Sequence, residues 1–127
     1  KPNMVLSGKS AENRANSDEV GAKTVACFKR VIPAALPGVV FLSGGQSDEE
    51  ATINLDAINR CAIDAGVPWQ LSFSYGRGLQ AAPLQAWKGQ VLNVKKAQGA
   101  FLKRARLTSA ARHGSYSLEM EREAAAV

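Results

Sequence analysis

Two short stretches carry residue types able to hold an anion: "LSGGQS", residues 42 to 47, and "SYGRG", residues 74 to 78. Each sets serine hydroxyls beside glycines whose backbone N–H groups no side chain shields, and the second adds Arg77. Unshielded N–H groups in a turn form a concave nest for an anion, and a guanidinium offers two parallel donors to phosphate oxygens. Ser43, Gly44, Gly45, Ser74, Gly76 and Arg77 are therefore the candidate phosphate cradle. Asp48, Glu49 and Glu50 fill the turn that follows Gly45 and Ser47, and three carboxylates there would repel a dianion. The phosphate is expected over Ser43 to Gly45 and toward Gly76 and Arg77. The plainer reading of the same glycines is ordinary turn chemistry.

Both seams need a strand before them and a helix after them, and hydrophobic periodicity supplies both. "GVVFL", residues 38 to 42, is a continuous β-branched and aromatic run, the pattern of a strand covered on both faces. Ser47 and Glu50 form the capping-box pattern S-x-x-E, opening a helix with Ala51, Leu55, Ile58 and Ala62 as its buried stripe. After Pro68, the residues Trp69, Leu71, Phe73 and Tyr75 alternate with polar ones, a period of two. A helix from Gly78 to Trp87 should be kinked or divided at Pro83. Upstream, "PNMVL" reads as a short extended segment and residues 7 to 19 as a loop. A helix follows, with Val20, Val25, Phe28 and Ile32 at steps of three and four, ending before Pro33.

The last long helix, residues 94 to 112, carries Val94, Ala97, Phe101, Ala105 and Thr108 at helical spacing. Lys95, Lys96, Lys103, Arg104 and Arg106 lie largely off that stripe, which reads as a solvated basic face. Beyond Tyr116, residues 117 to 127 have no evident partner and are expected to fray. Strand, helix, strand, helix, strand, helix implies parallel strands joined by crossover helices, the α/β class. Three strands are too few to close a barrel, so the chain reads as part of something larger.

The segments "KPNMV", "GVVFLSGGQSDEEATINLDAINR" and "LSFSYGRGLQAAPLQAW" resemble the C-terminal portion of class I fructose-1,6-bisphosphate aldolases, the bacterial-type members most. That resemblance reaches to about Tyr116 and implies the C-terminal part of a (β/α)8 TIM barrel, strands 6 to 8 with the helices after them. A whole barrel needs about 250 residues, so roughly the first half is expected to be absent. By the resemblance, Lys1 matches the lysine that forms a Schiff base with the ketose carbonyl, although sequence position alone would make it an exposed terminal residue. An amine attacks only when unprotonated, a state favoured by desolvation or a neighbouring cation. The resemblance also implies that the dihydroxyacetone phosphate group binds Ser43, Gly44, Gly45, Ser74, Gly76 and Arg77, the cradle inferred above. It implies a glycolytic, cytoplasmic enzyme acting on a sugar phosphate, commonly a homo-oligomeric tetramer, with no metal and no cofactor.

Departures from the family pattern bear on activity. The acidic proton-transfer residues and a further active-site lysine have no matching positions, Gly78 stands where alanine is usual, and the C-terminal tyrosine of animal and plant members is lacking. The isolated chain is accordingly expected to be inactive, since acid–base assistance alone contributes about 10²- to 10⁴-fold.

Composition sets the remaining bounds. A chain of 127 residues, 46% hydrophobic and 21% charged, fits one domain. It has no apolar run of membrane-spanning length and no secretory leader, so neither membrane nor export is expected. Cys27 and Cys61 lack metal or redox spacing and read as buried free thiols, and His113 reads as a helix C-terminal partner. The net charge of +5 suits phosphate-bearing partners of any kind. Two other readings compete with the enzyme. One is a non-catalytic phosphate- or partner-binding module. The other is a nucleic-acid contact through residues 95 to 112, which no known motif supports.

Overall fold

The computed structural model describes residues 1–122. Its first helix, α1 (Ser17–Val31), begins where the Asn16 side chain accepts the Glu19 N–H at 2.9 Å. Val20, Thr24, Val25 and Phe28 form its buried face, as the spacing predicts. Pro33 withdraws a helical donor, and the chain turns into β1 (Gly38–Phe41). The helix α2 (Asp48–Ala65) follows, buried along Ala51, Leu55, Ile58 and Ala62. It returns the chain to β2 (Gln70–Phe73), and α3 (Arg77–Trp87) and α4 (Val94–Arg112) complete the main elements.

β1 and β2 pair in parallel, with Val39 beside Leu71 and Phe41 beside Phe73. A parallel pair needs a crossover, and α2 provides it. Helices α1 and α4 both pack on α2, and α3 packs on α4. Gly21 allows the first of these approaches, since a Cβ there would meet the Ala57 carbonyl oxygen at 2.8 Å. Phe41, Leu55, Ile58 and Val20 are fully buried at the centre. Phe28 stacks on Phe41 with ring centroids 5.6 Å apart and meets Trp69 edge-on at 6.5 Å. The Trp69 indole N–H donates to the Pro33 carbonyl at 2.9 Å, so this bulky core ring leaves no donor unsatisfied.

Several expectations are corrected. Among the described residues the sheet has two strands, because residues 2–6 form no ladder. Their one backbone link to the sheet is the Leu42 N–H donating to the Pro2 carbonyl at 3.1 Å. β1 is covered on one face only: Val39 and Phe41 are buried, whereas Val40 is 38% exposed. Pro83 lies inside α3 without dividing it. Its ring deprives only the Leu79 carbonyl of a helical donor, and packing along α4 holds the helix together.

On α4 the buried residues are Arg104, Leu107, Thr108 and Ala111, while Phe101 is 47% exposed. The stripe expected from spacing is displaced because Arg104 points inward to a carboxylate, a pairing that sequence periodicity does not register. That carboxylate belongs to Glu121, in a short 3₁₀ turn (Leu118–Glu121) that docks where a frayed tail was expected. The rest of the expected tail, residues 123–127, lies outside the described residues. Cys27 is exposed and Cys61 half-buried, both as free thiols, because each sits off its helix's buried stripe. His113 caps α4, with Nδ1–H donating to the Ser109 carbonyl at 2.8 Å. Among the described residues no helix is long and apolar enough to cross a membrane.

Candidate phosphate site

The parallel register ends both strands at the same level, and this brings the two glycine-bearing seams together. The Ser74 N–H donates to the Phe41 carbonyl at 2.9 Å, carrying the link between the strands one residue past β2. Ser43 then faces the start of α3 so closely that a Cβ on Gly78 would lie 3.1 Å from Ser43 Oγ. The six predicted cradle residues thus fall on two adjoining loops. Ser43, Gly44 and Gly45 are half-buried, while Ser74, Gly76 and Arg77 are exposed.

Gly45 turns the first loop at φ +81°, a left-handed conformation that favours glycine. The loop is held from both sides. The Asn3 side-chain N–H donates to the Gly44 carbonyl at 3.1 Å, and Asn54 Nδ2 donates to Gln46 Oε1 at 2.8 Å. Gln46 Nε2 is buried without a hydrogen-bond partner, so its amide is a donor held beside the loop. Lys1, exposed, precedes the Pro2 whose carbonyl takes the Leu42 N–H, which places it alongside the end of β1.

The two helix starts differ in a way that matters for an anion. At α2 the Ser47 hydroxyl accepts the Glu50 N–H at 3.1 Å, and the Glu50 carboxylate reaches back to the Ser47 N–H at 3.4 Å. Asp48, Glu49 and Glu50 stand in its first turn. That helix end is already satisfied and negative. At α3 the cap is Gly76, with no side-chain cap and no acidic residue in the first turn. Its first N–H groups and positive dipole end are therefore available to an anion, with Arg77 as the first residue.

One buried group braces the site from behind. The Tyr75 hydroxyl donates to the Ala51 carbonyl at 2.9 Å, tying the β2 end to the first turns of α2, and burial pushes its pKa well up. The half-buried Asp48 has its pKa raised from the ordinary value, because partial burial outweighs the pull of Arg104, with Glu121 adding to the rise. Asn3, Asn54, Gly78 and Arg104 were not assigned site roles from sequence. The partners of Asn3, Gly78 and Arg104 lie far along the chain, that of Asn54 eight residues back across a loop, and only the asparagine in "KPNMV" carried any signal. The basic-helix alternative loses ground here: Arg104 is buried against Glu121, and Lys103 Nζ donates to the Glu121 carbonyl.

Comparison with known proteins agrees across three kinds of match. The family model described as glycolytic, fructose-bisphosphate aldolase class-I, matches residues 1–127. Fructose-bisphosphate aldolase B of Mus musculus is 50% identical over 116 residues, which are 91% of this chain and 31% of that protein. Fructose-bisphosphate aldolase C of Rattus norvegicus is 49% identical over the same span. A solved structure of fructose-bisphosphate aldolase from Plasmodium falciparum, in complex with TRAP and a small-molecule inhibitor, superposes with a TM-score of 0.85. It is 49% identical, and the match covers 91% of this chain and 33% of that one. The chain therefore spans less than a third, 31%, of the length of the curated relatives it matches.

Proposed function

The chain belongs to the class I fructose-bisphosphate aldolase family, and from that premise we propose that it supplies the Schiff-base lysine and the phosphate cradle of a glycolytic lyase. The reaction is cleavage of fructose 1,6-bisphosphate to dihydroxyacetone phosphate and glyceraldehyde 3-phosphate. In this reading β1 and β2 are the seventh and eighth strands of a (β/α)8 barrel, the "KPNMV" segment is the sixth, and residues 1–116 are the barrel portion. The exposed Val40 and the two-stranded sheet support it, since a barrel strand needs neighbours on both edges and cover on both faces. The working enzyme is a cytoplasmic homo-oligomer.

The observation that carries the reading is the contrast between the two helix starts. α3 presents an uncapped, acid-free N-terminus that begins with Arg77 and whose second residue, Gly78, packs against Ser43, whereas α2 is capped and acidic. A phosphate on the three-carbon ketose end of the substrate binds Ser43, Gly44, Gly45, Ser74, Gly76 and Arg77, which fixes the carbonyl carbon near Lys1. The Lys1 ε-amine attacks that carbon, and loss of water leaves an iminium. The iminium draws the electrons of the C3–C4 bond toward nitrogen as the C4 hydroxyl gives up its proton. The aldehyde product leaves, and the remaining enamine is protonated and hydrolysed to free the ketose phosphate. The proton-transfer acids of the family have no counterpart in this sequence, so the isolated chain should bind and form the imine without appreciable turnover.

Borohydride reduction in the presence of dihydroxyacetone phosphate, followed by peptide mass mapping, tests the reading. A selective adduct on the Lys1 ε-amine, lost in Arg77→Ala, is the expected result. Adduct confined to the α-amine, or unaffected by Arg77→Ala, would overturn it.

A further inference from the structure

Arg104 is a buried cation at the meeting point of α2, α4 and the 118–121 turn, and the reaction above does not use it. Its Nη1 donates to both oxygens of Glu121, at 2.7 and 2.8 Å, with the two side chains only 6% and 12% exposed. Its Nη2 donates to Thr52 Oγ1 at 2.6 Å and to the Asp48 carbonyl at 3.2 Å. Thr52 Oγ1 itself donates to that carbonyl at 2.7 Å. The Tyr116 hydroxyl donates to Glu121 Oε1 at 2.9 Å, and the Tyr116 N–H donates to Asp56 on α2 at 2.9 Å. One guanidinium thus ties the turn after α4 to the first turn of α2.

Asp48 is the residue immediately after Ser47, the cap that closes the phosphate loop. On its other side the loop is fixed by β1 and by Asn3 at Gly44. The shape of residues 43–47 therefore depends on where the first turn of α2 sits, and that turn rests on Tyr75 and on Arg104. Resting on the phosphate-cradle reading, we propose that the Arg104–Glu121 clasp is a positioning device. By docking residues 117–122 against the start of α2, it holds Ser43, Gly44 and Gly45 in the shape that accepts the substrate phosphate. Taking Glu121 away leaves Arg104 as a buried charge without its counter-ion, and the guanidinium must swing toward water and release Asp48 and Thr52. The loop then samples shapes in which its N–H groups no longer converge.

The test uses the whole chain, inorganic phosphate as the probe, and the variants Glu121→Ala, Glu121→Gln and Arg77→Ala, well below their melting temperatures. Glu121→Ala should weaken phosphate binding about three- to tenfold and speed amide exchange at residues 43–48. Glu121→Gln, which still accepts from Arg104, should recover part of both. Wild-type affinity in folded Glu121→Ala, with exchange faster only in proportion to global stability, would overturn the proposal and leave the clasp a merely structural contact. If Glu121→Ala does not fold, Tyr116→Phe removes one bond to Glu121 and should shift both readouts in the same direction by less, and no shift in either would overturn the proposal. Arg77→Ala tests the cradle separately. Phosphate binding that survives it sinks the cradle reading, and exchange at residues 43–48 in the Glu121 variants still decides whether the clasp holds the loop.

Discussion

Gly78 packs against Ser43: a Cβ on Gly78 would lie 3.1 Å from Ser43 Oγ and 3.3 Å from Ser43 Cβ, with the Tyr75 ring also at 3.1 Å. Gly78 is the second residue of α3, so replacing it by alanine gains helix propensity of about 1 kcal/mol. The tight contact offsets that gain, since the Ser43 side chain must turn. Gly78→Ala should therefore lie within about 1 kcal/mol of wild type in urea unfolding, whereas Gly78→Val, whose two γ-methyls add bulk where a Cβ already meets Ser43 and Tyr75, should cost about 1–3 kcal/mol. A Val variant as stable as wild type would mean that the two loops are not in contact.

Ser47→Ala removes the acceptor for the Glu50 N–H and leaves the reciprocal Glu50 contact without its partner bond. The expected loss is about 1 kcal/mol in urea unfolding. Glu50→Ala should lose less through the cap, because its reach-back bond is the longer of the two at 3.4 Å. It also deletes the half-exposed ion pair with Arg14, a class of contact worth about 0–1 kcal/mol.

Tyr75→Phe leaves the Ala51 carbonyl without its side-chain donor in a buried setting, which should destabilise by about 1–2 kcal/mol. A pH dependence follows from the same burial. The folded state holds the Tyr75 proton more tightly than the unfolded state does. Stability from this group is complete below the ordinary tyrosine value of 10.0 and is lost as pH rises above it, by about 1.4 kcal/mol per pH unit. Urea midpoints measured from pH 9 to 11 should fall, and they should fall less steeply in Tyr75→Phe. Equal slopes would contradict the burial.

Asp48→Asn should stabilise the protein at neutral pH. The folded pKa of Asp48 is raised above 3.8, so the folded state binds this proton more readily than the unfolded chain. The sign is opposite to that of a salt-bridged acid: stability from Asp48 is fully present below 3.8 and is lost as pH rises through the raised folded value. Melting temperatures of the two proteins should converge as pH falls below 3.8 and separate above it, with Asn the higher.

The capping box at Ser47 and Glu50, the buried stripe of α2 and the alternation around Leu71 were all legible in the sequence, because each depends on residues at most four apart or on a strict period of two. The pair of glycines at residues 44 and 45 likewise announced a turn before a helix. Spacing alone places Arg104 on a solvated face, because its partners Glu121 and Thr52 lie 17 and 52 residues away. The same holds for Gly78 and Ser43, which meet only because β1 and β2 pair in one register. Composition and spacing therefore decided where helices begin, which faces they bury and which loops carry donors. Which loops touch, which strand face stays open and which cation is buried were decided by tertiary packing, because those contacts close long loops whose cost is repaid only when the whole core forms.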